Sequence, residues 1–179
     1  MKILNVLIAL SFLVSCNNKA KNTIENQSVE DVFVENLVEK QILTDEYAIE
    51  YEFAISIPSD YIIDELKAED FVVYYITPAD TATKLTFAGG IYFGNHPSSF
   101  EYNNCKKTIV KNKIFGKNTD WAVYDCDTTF STQTLIKTKS KEHWCEYIHL
   151  FGNANSESEL EKLFTVFRTF SKSERVGKK

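Results

Sequence analysis

The sequence predicts an α+β domain: a mostly antiparallel sheet packed by an N-terminal and a C-terminal helix. Two observations carry this. Residues 47–57 alternate strictly, with Tyr47, Ile49, Tyr51, Phe53, Ile55 and Ile57 on one face and Ala48, Glu50, Glu52, Ala54 and Ser56 on the other, which is the period of a half-buried strand. Residues 156–170 instead place Leu160, Leu163, Phe164, Phe167 and Phe170 on one helical stripe, behind a Ser156/Glu159 capping box. Between them lies a series of short β-prone runs, so the stripe's natural partner is a sheet.

The elements follow in order. Ser28–Ile42 reads as an amphipathic helix, started by Ser28 with Asp31 and carrying Val29, Val32, Phe33 and Leu37 on one face; Val32, Val34, Asn36 and Val38 also fit period two. Pro58 ends the first strand, and residues 60–70, rich in acids, read as a connection with a helical turn. Phe71–Thr77 (FVVYYIT) is a central strand by its apolar, β-branched and aromatic content. Residues 84–95 continue as a strand whose Gly89-Gly90 suggests a bulge or close backbone approach. A phosphate loop is rejected there, because no Walker-type lysine and no helix follow. Residues 98–105 read as a short helix capped by Ser98 or Ser99. Residues 107–115 and 120–128 form a hairpin around Gly116-Lys117-Asn118. Residues 132–138 and 143–151 extend the meander, and Gly152-Asn153 breaks it. The domain spans residues 28–171, and residues 172–179 are a disordered basic tail.

Ahead of the domain stand Lys2, an apolar run from Ile3 to Val14, and then Cys16. The run is shorter than the roughly 20 apolar residues of a membrane-spanning helix, so residues 1–15 read as a cleaved signal peptide. Leu13-Val14-Ser15-Cys16 resembles the lipobox of bacterial lipoproteins. That resemblance implies cleavage before Cys16, a diacylglycerol thioether on its sulfur and an acyl group, such as palmitate, on its new amine. Each buried methylene adds about 0.8 kcal/mol, so two or three chains anchor stably where one does not. By the sorting rule of enteric bacteria, Asn17 after the cysteine would direct the protein to the outer membrane. Residues 16–27 (CNNKAKNTIENQ) are polar and read as a flexible tether.

Without Lys2 the chain carries 19 basic and 25 acidic side chains, net −6. Such a surface has no basic footprint for nucleic acid and no electrostatic attraction to anionic lipid, so the lipid on Cys16 must supply membrane attachment. Nine Tyr and thirteen Phe are enough to build a folded core.

Cys105, Cys126 and Cys145 remain after Cys16 is set aside. An exported domain permits disulfides, and three pairings are open. Cys126 and Cys145, both on predicted strands, are the candidate pair, against three buried thiols acting as small hydrophobes. His96, His143 and His149 are scattered. Cys145 with His149, and Asp125 with Asp127, share strand faces, but their spacing is wrong for a tetrahedral zinc site. No Gly-x-Ser-x-Gly nucleophile elbow is present. No metal, cofactor or catalytic residue is expected. Trp121, Trp144 and the tyrosine-rich strands read as sheet packing.

The stretches FAISIPSDY, TDWAVYD and YIHLFGNANSESELEKLFTVFRTF resemble the PsbP/Mog1-type α/β/α sandwich. That resemblance implies a helix-flanked sheet and a non-enzymatic binding or assembly domain. The expected function is therefore a membrane-anchored envelope lipoprotein that binds a partner protein or small ligand. Toxin immunity and an unrecognised envelope hydrolase site are the alternatives.

Overall fold

The computed structural model describes residues 29–42, 51–80, 86–138 and 145–174. The signal segment 1–15, Cys16, the tether, residues 47–50, His143, Trp144 and the tail from 175 on lie outside the described residues. A short helix, α1 (Val29–Glu35), leads into β1 (Leu37–Ile42) and β2 (Tyr51–Pro58). Then come β3 (Tyr61–Lys67), β4 (Phe71–Pro78), β5 (Phe87–Gly94), β6 (Lys106–Ile114), β7 (Lys117–Asp125), β8 (Phe130–Lys137) and β9 (Tyr147–Ala154). A second helix, α2 (Glu157–Arg168), and a last strand, β10 (Ser171–Glu174), close the chain. The strands form two antiparallel sheets, ordered β1-β2-β10 and β3-β4-β5-β9-β8-β7-β6.

This architecture overturns the helix-flanked α+β sandwich. The protein is mostly β with two short helices, and no helix lies on the second face of the large sheet among the described residues. The N-terminal helix fails first. The helix is cut to Val29–Glu35, and Val38, β-branched, lies in the extended backbone that follows. Asn36 stops the helix by donating from Nδ2 to the Val32 carbonyl at 2.7 Å. The chain then pairs with β2, from Leu37 opposite Pro58 to Ile42 opposite Phe53.

Residues 61–67, expected as a connection, form an edge strand paired with β4. Asp64 and Glu65 are tolerated because an edge strand is solvated on one side. Residues 98–105 contain no helix. Phe115 and Gly116, both at positive φ (50° and 72°), make the two-residue β6–β7 turn, earlier than expected. Phe115 is held in this unusual conformation by ring packing on Phe170 at 4.9 Å. β9 runs through Gly152 to Ala154, and β10 pairs with β2, so the chain stays ordered beyond residue 171.

The core lies between the inner face of the seven-stranded sheet, α2 and the small sheet. Phe53 of β2 stacks on Phe170 at 5.7 Å and meets Phe93 of β5 at 5.2 Å. Trp121 of β7, fully buried, stacks on Phe167 of α2 at 5.2 Å. The α2 N-terminus is as predicted: Ser156 Oγ accepts from Glu159 N at 3.2 Å. The Glu159 carboxylate turns to Lys162 at 2.7 Å instead of completing the box. At the other end Thr169 Oγ1 accepts from Ser56 N at 2.8 Å, tying α2 to β2. Gly89 and Gly152, opposite each other in register, let the helix approach. A Cβ on Gly152 would stand 2.7 Å from Leu163 Cδ1's partner methyl, Cδ2, and one on Gly89 3.0 Å from Phe167 Cζ. The glycine pair therefore marks close approach, and the register shows no bulge there.

Candidate functional site

Alternation along the strands leaves the outer face of the large sheet to solvent, as antiparallel sheets permit. Register places one row across it: Ile109, Ala122, Gln133, Phe151, Gly90, Tyr75 and Asp64. Six of the nine exposed large hydrophobic side chains among the described residues lie on this face or on the segment crossing it: Ile62, Leu66, Tyr75, Phe100, Ile109 and Leu135. Exposed apolar side chains gathered on one sheet face make it the candidate interaction face.

What crosses the face is an irregular strap, residues 95–105. Gln133 holds its middle. Its Oε1 accepts from Phe100 N at 3.1 Å, and its Nε2 donates to the Phe100 carbonyl, so one side chain mimics a strand partner. Tyr102 packs on Tyr124 with ring centres 5.1 Å apart. At the end of the strap, Cys105 is disulfide-bonded to Cys126, just beyond β7. The expected Cys126–Cys145 bridge is not formed; Cys145 is a buried free thiol. The reason is topological. Cys126 leaves β7 at the sheet end where the strap arrives, whereas Cys145 precedes β9. Closing a loop of this size stabilises a fold by about 3 kcal/mol on chain-entropy grounds.

Between the strap and β6–β7–β8 lies a groove of about 360 Å³, within the range of ligand-binding clefts. Its floor is Ala122, the small residue between Ile109 and Gln133. Phe100, Ile109 and Leu135 supply apolar wall, and Glu101, Lys107, Asp120 and Gln133 supply polar groups. Lys107 Nζ sits 5.3 Å from the Tyr124 ring centre. Lys111 and Asp120 neutralise each other at 2.7 Å beside the rim.

His149 closes the inner end of the groove. It is 3% exposed, and its ring faces Phe100 and Phe151, at 5.8 and 5.4 Å. The Phe100 backbone fixes the Gln133 amide, so Gln133 Oε1 can only accept, and His149 Nε2 must carry the proton in their 3.1 Å contact. Burial lowers the His149 pKa to about 4 and keeps the ring neutral. Cys145 donates to the Tyr147 carbonyl, and burial pushes its thiol up to about 11. The two residues named as sharing a strand face therefore engage different partners, and neither is tuned for nucleophilic attack. Asp125 and Asp127 are exposed, Asp127 at φ 62° in the turn before β8. No group of three or more His, Cys, Asp or Glu side chains gathers for a metal among the described residues. Exposed His96 donates its backbone N–H to Tyr92 Oη at 3.0 Å.

The strap and Gln133 escape a reading of local pattern. The available signal is Thr132-Gln133-Thr134, a polar triplet inside a strand that the fold nonetheless buries. The chain matches no family model, no curated protein and no solved structure.

Proposed function

We propose that this chain is an envelope lipoprotein, exported by residues 1–15 and anchored through lipid on Cys16. In this reading its β domain, without catalytic chemistry or a cofactor, binds a partner protein in the strapped groove. The observation that carries the proposal is the groove itself: exposed apolar side chains beside polar ones around Ala122, under a disulfide-tethered strap on a sheet face that no helix covers among the described residues. The buried, un-ionised Cys145 and the neutral, engaged His149 favour binding over hydrolysis.

The test uses Ile109→Asp with Leu135→Asp. Both side chains are about half exposed or more, so the change leaves stability within about 0.5 kcal/mol per site. The wild-type chain should recover one partner repeatedly from detergent-solubilised envelopes, and the double variant should lose at least nine-tenths of it. Equal recovery by the variant would remove the groove from consideration. Cys16→Ser should abolish lipid labelling and membrane partition, and a variant that still fractionates with membranes would contradict the anchor.

A further inference from the structure

We infer that the groove's partner is an acidic, extended peptide segment that adds as a strand to the free edge of β6; this rests on the groove reading above. β6 ends the seven-stranded sheet, and its second backbone edge pairs with no strand among the described residues. Its first four residues, Lys106 to Ile109, are all exposed, so the edge is open on both faces. Ile109, 61% exposed, stands on the outer face at this edge and also forms the groove wall. A strand laid along β6 therefore places alternate side chains beside the groove while its main chain completes the ladder.

Charge selects the occupant. Lys106, Lys107, Lys111 and Lys113 line β6, and among the described residues only Lys111 has a carboxylate partner, Asp120. Lysines on an edge strand guard against pairing with a like edge, because two copies of β6 would bring their lysines together. The same lysines attract a strand bearing Asp or Glu at alternate positions. The opposite edge, β3, carries Asp64 and Glu65, so a second copy of this chain is the competing occupant.

The test is a titration of the full chain in detergent with three labelled octapeptides, read by fluorescence anisotropy and by hydrogen exchange over residues 106–114. One alternates Glu and Val, one alternates Lys and Val, and the third is the Glu peptide N-methylated at alternate residues, which keeps the charge and removes the ladder donors. The Glu peptide should bind and protect residues 106–114. The Lys and N-methylated peptides should bind at least tenfold more weakly. The combined Lys106→Glu, Lys107→Glu and Lys113→Glu variant should weaken the Glu peptide by the same factor. Equal binding of the N-methylated peptide would overturn the inference, as would self-association in sedimentation that the lysine variant abolishes. If the Glu peptide fails to bind while partner capture still depends on Ile109 and Leu135, the edge inference falls and the groove reading stands. Loss of both would remove the groove reading as well.

Discussion

Phe167→Ala is expected to destabilise the domain by about 3–5 kcal/mol, a large share of the total for a fold of this size. Phe167 is fully buried, stacks on Trp121 and presses on Gly89. The site cannot collapse around the missing ring. One end of α2 is fixed by the Ser156 cap and the other by Thr169 on β2, so the helix cannot settle onto the sheet. Trp121 would then line a void, losing contact on one face. Urea unfolding followed by tryptophan fluorescence measures the effect as a lower midpoint at unchanged slope. A loss below about 1 kcal/mol would show that α2 does not pack where Gly89 and Gly152 admit it.

Acid is expected to weaken the domain through His149 by up to about 3 kcal/mol. Burial holds the folded-state pKa at about 4, below the ordinary 6.5. The unfolded chain therefore takes up the proton first as pH falls. The stability associated with the neutral ring is fully present above about pH 6.5, declines between 6.5 and 4, and levels off below 4. The comparison is with His149→Leu, which should flatten the profile between pH 6.5 and 4.5 by up to one proton's slope. Identical slopes in the two chains would mean that His149 is not held neutral. Because His149 supports Gln133, and Gln133 holds Phe100, the strap should be the first segment to gain hydrogen exchange in that range.

Local pattern reached some elements and not others, for physical reasons. β2 and α2 were legible because burial on one face imposes period two on Phe53, Ile55 and Ile57, and helical period on Leu160, Leu163 and Phe167. The N-terminal segment misled because its valines are not buried: Val32, Val34 and Val38 are all over 40% exposed, so their spacing records no core face. β1 exists because β2 offers a partner, which is a tertiary fact. β3 was hidden by its acids, acceptable only at an edge. The strap was hidden because its order comes from Gln133, Tyr124 and Cys126, all distant in sequence, and the disulfide partner of Cys126 follows from where the strap lands. Of the residues the sequence placed on one strand face, His149 lines the groove together with Ile109, Ala122, Gln133 and Leu135, whereas Cys145 does not.

Site-specific photo-crosslinking in intact envelopes tests most directly whether the strapped groove is the binding site. A benzophenone side chain at Ile109 or Leu135 samples the groove, and one at Lys40 or Glu157, both exposed on other elements, samples surface away from it. The groove positions should each give one discrete adduct of the same mass, and the control positions none. Adducts shared by all four positions, or none at Ile109 and Leu135, would contradict the groove as the site.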